Sequence, residues 1–378
     1  MQREEEQQPI IDEIIKQDFH GIIYLPTGTG KTRILIEALK KSSFKSILWV
    51  CATEQSRDVT LEKEFKIWKA TRLFKKVTAI CWKSLEKHSF KYDLVILDEI
   101  QMITPRNASY FKNNDCKIIG ATGSEPRDQI KQEIFKQLNL DVIWRLHIDN
   151  AIEKSLIAEY FIDIVYVDID PITKYEVKGN KGSFYKTEKE SYNWYSYKIE
   201  QLKDEGNYTA AKKLQLSRAR FIYNSKTKLR ASQLLMKKFS DNRVISFSKS
   251  TDIANILSKN PYHSKLKKED RKLNYDKFNS KKENHISTVE AANTSLNFTD
   301  IEIAFIQQLD SNPGNFLQRI GRALRFRENY TAKIVLLCLR GSQDEVWVNS
   351  CIESLNSEKI NMYNFKDYIH DKRINTIN

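Results

Sequence analysis

Short, almost uninterrupted apolar runs separated by helix-spaced segments constrain this chain more than any other feature. Gly21–Leu25, Ser46–Val50, Val77–Cys81, Asp93–Leu97 and Cys116–Gly120 are five such runs. Between the first two, Lys31–Lys41 carries Ile34, Leu35, Ala38 and Leu39 at helical spacing. Strands that are apolar on both faces and alternate with helices imply a parallel sheet covered on each side. The pattern shifts toward strict alternation at Tyr160–Val167, then resumes at Arg243–Phe247, His285–Val289, Ile303–Gln307 and Lys333–Leu339. From Tyr185 to Phe239 no strand pattern is present. That segment reads as a helical insertion, about 185–240, of two or three helices broken at Glu205-Gly206-Asn207. The tail from Ser342 reads as a helix with Asp344 and Glu345 in its first turn. The expected fold class is therefore α/β, with two parallel-sheet domains in tandem, 1–158 and 159–378, the second carrying the insertion.

A length of 378 residues suits two domains with real cores. The net charge is +13, and it is uneven: residues 1–160 contribute +2 and residues 161–378 contribute +11. The stretch 212–282 holds 20 basic against 5 acidic side chains. Such a basic half suits a polyanion partner, usually nucleic acid, or else a solvated lysine-rich surface. No apolar run approaches the ~18 residues of a membrane helix, and the polar start lacks the apolar core of a signal peptide. The expectation is a soluble, cytoplasmic chain with no membrane partner. Cys51, Cys81, Cys116, Cys338 and Cys351 are odd in number and widely spaced, so neither a zinc site nor a disulfide framework is signalled.

Pro26-Thr27-Gly28-Thr29-Gly30-Lys31-Thr32 falls between an expected strand and an expected helix. Glycines there let backbone N–H groups converge on phosphate oxygens, and the helix N-terminus adds its dipole. Lys31 would reach the β- and γ-phosphates and Thr32 would ligate Mg²⁺. Leu25 stands where the strict form of this loop has its first glycine. Downstream, Leu94–Leu97 ends in Asp98-Glu99, an apolar strand delivering paired carboxylates. Asp98 would hold the metal shell and Glu99 would polarise the attacking water. The two pieces together specify nucleoside-triphosphate hydrolysis.

With these, Gln318-Arg319-Ile320-Gly321-Arg322-Ala323-Leu324-Arg325 completes a set that resembles motifs I, II and VI of superfamily 2 helicases. Thr122-Gly123-Ser124 is similar to motif III, Ala52–Arg57 to motif Ia and Phe247–Ser250 to motif IV. The likeness covers nearly the whole chain and is nearest to the XPB, UvsW and type III restriction groups. Phage-encoded members share the Arg57-Asp58, Glu64-Phe65 and Trp68 features. The resemblance implies two RecA-like domains, ATP and Mg²⁺, with Lys31, Asp98, Glu99, Gln318, Arg322 and Arg325 as catalytic residues. Arg322 and Arg325 would be arginine fingers from the second domain, and Gln318 would order the γ-phosphate. Pro26, Thr27, Gly28, Thr29, Gly30, Lys31 and Thr32 would bind the nucleotide, with Asn297 of motif V. Gln7, just ahead of a helix bearing Ile10, Ile11, Ile14 and Ile15, matches an adenine-reading glutamine.

Thr53, Arg57, Ser248, Lys249 and Thr288 would track the phosphodiester backbone, and Gln101, Thr122 and Ser124 would couple it to ATP. Gln101 stands where the family has His or Asp, Ala52 where motif Ia has Pro, and Ser295 where motif V has Gly. The implied activity is ATP-dependent unwinding, branch migration or annealing by a monomer, DNA being favoured over RNA. A nucleic-acid clamp or the motor subunit of a repair, replication or restriction assembly is the alternative. The compartment would be the cytoplasm, a host's if the chain is phage-encoded. Tyr192, Trp194, Tyr195 and Tyr197, interleaved with lysines, either stack on bases or pack between helices.

Overall fold

The computed structural model describes residues 2–54, 56–88, 91–112, 116–126, 128–179, 182–289, 298–310, 313–321 and 330–371. Two compact units are present. One runs to Glu159 and also takes in the later segment that begins at Gly314; the other begins at Tyr160 and resumes at Phe298 and again at Thr331.

The first unit is built on six strands: β1 Gly21–Tyr24, β2 Ile47–Cys51, β3 Val77–Cys81, β4 Leu94–Asp98, β5 Lys117–Thr122 and β6 Val142–Arg145. Their order is β3-β2-β4-β5-β1-β6, all neighbours parallel. The inner strands are buried along almost their whole length, as a sheet covered on both faces requires. Ile22, Leu48, Val50, Val95, Leu97 and Phe135 centre one core. β6 is an edge strand with Val142 exposed, and its apolar run, Val142-Ile143-Trp144, is too short to stand out as a strand in the sequence.

The second unit holds seven strands: β7 Glu159–Asp168, then, after the hairpin β8 Lys174–Gly179 and β9 Gly182–Thr187, β10 Val244–Ser248, β11 Pro261–Tyr262, β12 His285–Val289, β13 Ile303–Ile306, β14 Thr331–Arg340 and β15 Ile360–Asn364. The sheet order is β11-β12-β10-β13-β14-β7-β15, parallel from β11 through β14 and again across β7 and β15. Two parallel α/β sheets of this kind are the tandem RecA-like arrangement expected from the sequence. Val165, Leu235, Phe239, Val244, Phe305 and Val335 lie in its core.

The insertion is three helices, Glu188–Asp204, Tyr208–Tyr223 and Lys226–Lys238. Gly206, at φ +72°, ends the first, and the Asn207 side chain caps the second. The expectation of no strand from Tyr185 is corrected, because β9 runs to Thr187 and pairs antiparallel with β8. Thr187 and Glu190 close a reciprocal cap on the first helix. The buried Glu188 carboxylate then accepts from the Lys226 and Thr227 backbone N–H groups, at 2.6 and 3.1 Å, at the start of the third. A carboxylate there satisfies orphan donors and complements the helix dipole.

Among the described residues no helix is long and apolar enough to cross a membrane. All five cysteines are free thiols. Burial first, with the nearby Asp98 carboxylate adding to it, pushes the Cys51 thiol far up, so it packs as a small apolar group. The basic composition is partly internal. Lys228 is fully buried and lies 2.6 Å from the equally buried Asp344, whose carboxylate also accepts from the Leu339 N–H. Arg243 is buried too, donating to the Phe278, Thr299 and Asp300 carbonyls.

Removing one partner of a buried ion pair strands the other charge. Lys228→Met is expected to cost about 3–5 kcal/mol in urea denaturation. Lys228→Met/Asp344→Leu together should recover most of that loss. Equal destabilisation by the single and double variants would contradict it.

Candidate nucleotide site

β1 is followed by the loop Leu25–Gly30 and the helix Lys31–Lys40. Gly28 and Gly30 sit at φ +99° and +90°, in the left-handed region where a side chain is disfavoured. Gly30 is the N-cap residue of the helix, and no side chain caps it. The first-turn N–H groups are therefore offered to whatever the loop surrounds. The Thr29 hydroxyl donates to the Pro26 carbonyl at 2.8 Å, holding the loop closed, and Lys31 Nζ donates to the Leu25 carbonyl at 3.2 Å. Among the described residues, Thr27 Oγ1 is buried with no hydrogen-bond partner.

The N-terminal helix Gln2–Lys16 braces this loop. Gln7 is buried and donates through Nε2 to the Thr29 carbonyl at 2.6 Å. Arg3 donates to the Gly28 carbonyl, and Arg33 donates to Gln7 Oε1. Arg33 also pairs with Glu4 at 2.9 Å and lies 4.7 Å over the Trp68 ring. The expectation that Gln7 stands just ahead of a helix is corrected, because it lies inside one. Arg3 and Gln7 must share a helical face to reach the loop carbonyls together, which carries the helix back through Pro9 to Gln2. A β-carbon on Gly30 would sit 2.7 Å from Gln7 Nε2, so this close approach needs glycine.

Parallel strands deliver their C-terminal ends to one edge of a sheet, and the other sequence-derived residues arrive there. β4 ends in Asp98, whose carbonyl accepts from Trp82 Nε1 at 3.0 Å. Glu99 follows with φ +52° and ψ +57°, a left-handed conformation costing a non-glycine residue about 1–2 kcal/mol. Its carboxylate accepts from Gln101 Nε2 at 2.7 Å and from Gln318 Nε2 at 3.3 Å. Gln318 lies on the helix Pro313–Ile320, and the next residue, Gly321, packs so close to Thr27 that a β-carbon would fall 2.4 Å from the Thr27 Cβ. Thr122 pairs with Tyr24 across β5 and β1, is buried, and donates through Oγ1 to the Ser124 carbonyl at 3.0 Å. Gly123 lies beside Thr27 and Lys31.

The structure thus gathers Gln7, Thr27–Lys31, Glu99, Gln101, Thr122 and Gln318 in one unit. Sequence reasoning missed Arg3 and Arg33, and also Lys131, which donates to the Gln101 carbonyl. No motif marks them; only the polar face of the first helix hints at a brace. Asn297, Arg322 and Arg325 lie outside the described residues.

The strand-tracking candidates divide. Thr53 Oγ1 accepts from the Ser56 N–H at 3.1 Å, and Arg57 pairs with its neighbour Asp58 at 2.6 Å. That hydrogen bond raises the Arg57 pKa further. Lys249 pairs with Asp310 at 2.5 Å, while its backbone N–H donates to Gln308. Ser248 and Thr288 are buried, their hydroxyls donating to the Ser250 and Ser246 carbonyls. Those two hydroxyls are used internally, one in the turn after β10 and one between β12 and β10.

Among the described residues no group of three His, Cys, Asp or Glu side chains is positioned to hold a metal ion. Mg²⁺ at a phosphate takes one or two protein oxygens and completes its shell from phosphate and water. The Thr32 hydroxyl and Asp98 carboxylate are hard oxygen donors of that kind, at the head of the loop helix and the end of β4. With the unpartnered Thr27 hydroxyl and the uncapped helix N-terminus, the donor set fits a metal-bound polyphosphate.

Residues 1–137 match the family described as type III restriction enzyme, res subunit, and residues 227–327 match the helicase conserved C-terminal domain. The DNA 3'-5' translocase XPB2 of Sulfurisphaera tokodaii is 23% identical over 351 residues, covering 86% of this chain and 79% of that protein. S. cerevisiae Dbp5 bound to RNA and ADP BeF3 is similar in structure, with a TM-score of 0.61 at 10% identity over 94% of this chain and 90% of that one. The Pyrococcus furiosus Hef helicase domain gives 0.53 at 14% identity over 91% and 97%.

The brace has a testable cost. Gly30→Ala imposes a left-handed side chain and pushes aside the buried Gln7 amide, whereas Gly206→Ala meets open space at a similar φ. In urea denaturation Gly30→Ala is expected to lose about 1–3 kcal/mol more than Gly206→Ala, the cost of an unmade buried hydrogen bond. Equal losses would show that the Gln7 hydrogen bond contributes nothing.

Proposed function

We propose that this chain, which belongs to the superfamily 2 helicases with a type III restriction res-subunit domain followed by a helicase C-terminal domain, is an ATP-driven translocase on DNA. The helicase domains themselves imply ATPase activity and the use of ATP with Mg²⁺. DNA is taken over RNA on the relative named as a DNA translocase, at low identity.

The observation that carries the reading is the Glu99 carboxylate, held by two glutamine amides beside a loop with a free helix N-terminus. Both amides donate to this carboxylate and fix its position. Glu99 takes the proton of a water whose oxygen attacks the γ-phosphorus, and ADP leaves. Lys31 and the loop N–H groups neutralise the phosphates. Thr32 and Asp98 would hold Mg²⁺, which would supply positive charge to the phosphates. Arg322 and Arg325, one and four residues beyond Gly321 in the sequence, are assigned to charge developing on the transferred group. Gln101 and Gln318 link Glu99 to neighbouring elements, and loss of the γ-phosphate changes the grip on the strand. Alternating grip yields directed movement.

Glu99→Gln is expected to lower nucleic-acid-stimulated ATP turnover about 100-fold or more with ATP binding retained. Lys31→Ala should lose binding as well as turnover. Stimulated turnover that survives both changes would rule the reading out. Stimulation by RNA alone would exchange the substrate class.

The basic excess makes a separate prediction. Lys265, Lys267, Lys268 and Lys272 are exposed on and just before the helix Lys268–Asn279. Replacing all four by Gln is expected to weaken duplex binding and flatten its salt dependence, by about 0.9 in log–log slope for each phosphate no longer neutralised. An unchanged slope would leave these lysines as solvated surface.

A further inference from the structure

The aromatic residues of the insertion separate onto two faces of the helix Glu188–Asp204. Tyr192 and Ile199 are buried, and Tyr195 packs against Phe221 at 5.7 Å. Tyr192 also accepts a hydrogen bond from the Gln343 N–H at 2.8 Å. Trp194 and Tyr197, three residues apart and so on one stripe, are 43% and 61% exposed. Trp194 is held edge-on by Tyr195 at 5.2 Å, so its orientation is fixed while its outer surface stays open.

The hairpin continues this surface. The register pairs Tyr175 with Lys186 and Val177 with Phe184, which puts these four side chains on one side of the ribbon. Phe184 is 42% exposed. The Lys186 ammonium lies 5.1 Å from the Phe184 ring and 5.7 Å from the Trp194 ring, drawing strand and helix into one patch. Lys226 stands 3.5 Å over Tyr175 at its far side, and Lys198 lies 5.9 Å from Tyr197. Exposed rings cost free energy in water, and here each neighbours an ammonium group. A partner with alternating flat apolar faces and negative charges matches that arrangement, and a nucleic-acid strand with unpaired bases is such a partner. In a duplex the base faces are already stacked.

We propose that Phe184, Trp194 and Tyr197, with Lys186 and Lys226, form a base-stacking surface for single-stranded nucleic acid, outside the helicase motifs. It rests on the nucleic-acid reading above and adds a strand-binding surface on the insertion. The rings stack on successive bases, and the lysines take the intervening phosphates.

The test uses the full chain and fluorescence anisotropy with labelled oligo(dT), oligo(rU) and a hairpin-closed DNA duplex, each over a salt series. Phe184→Ala/Trp194→Ala is expected to weaken oligo(dT) at least tenfold, since one base–ring stack is worth about fivefold to 150-fold. The salt slope should stay unchanged, because stacking releases no counterions. Duplex affinity should move less than twofold. Phe184→Tyr/Trp194→Phe, which keeps the ring faces, should restore oligo(dT) binding to within threefold. A matching loss on oligo(rU) extends the surface to RNA.

Unchanged oligo(dT) affinity overturns the inference and leaves the patch to a protein partner. Equal loss on single strand and duplex, or no rescue by the ring-keeping variant, overturns it as well. If the unmodified chain shows nucleic-acid-stimulated ATP turnover while the ring variant binds normally, this inference fails alone. If the unmodified chain neither binds nor is stimulated, the translocase reading fails and takes this one with it.

Discussion

Parallel pairing with both faces buried is the constraint on which the rest of the first unit depends. Strands that run the same way must start their connections from one edge, so residues far apart in sequence meet there. Tyr24, Asp98 and Thr122 end three adjacent strands of the sheet. The loop Leu25–Gly30, the Glu99 turn and the Gly123 turn therefore converge without any of them folding independently. Burial of Ile22, Val95 and Leu97 fixes the strands, and the strands fix the polar groups. The chemistry is positioned by the apolar core.

On that edge the Glu99 turn is held against its own preference. Left-handed backbone at a glutamate is unfavourable, and the conformation persists because its surroundings over-determine it. Ile100 is fully buried, Trp82 fixes the Asp98 carbonyl, and Gln101 and Gln318 hold the carboxylate. Gln101 departs from the residue usual at its place in the helicase pattern, yet an amide there donates to Glu99 and fixes its carboxylate. Its carbonyl accepts from Lys131, which joins the turn to the helix Gln129–Gln137. The other end of the site is braced by Arg3 and Gln7, whose side chains grip loop carbonyls rather than standing free.

Much of this is legible in the sequence because it is written in apolar period and glycine placement. The buried strands β1, β2, β4, β10, β13 and β14 are near-continuous apolar runs, and the runs locate their edges within a residue or two. What escapes is short, half-polar or dependent on distant partners. β6, β11 and β15 are edge strands that bury one side or little. The β8–β9 ribbon is polar and lysine-rich, with only its flanking Gly179 and Gly182 to suggest a turn. The N-terminal helix looks shorter than it is because Pro9 resembles a first-turn residue; the loop carbonyls that hold Arg3 and Gln7 are more than 20 residues away. Composition likewise overstates the surface charge, since Lys228 and Arg243 are buried and bound internally.

If hydrolysis at this site drives movement along DNA, that movement can be read without requiring unwinding, as displacement of a third strand from a triplex on linear duplex DNA. Displacement is expected with ATP and Mg²⁺, none with a non-hydrolysable analogue, and none by Glu99→Gln. Displacement that proceeds equally without hydrolysis, or ATP turnover on DNA with no displacement at all, would contradict the coupling of this site to movement.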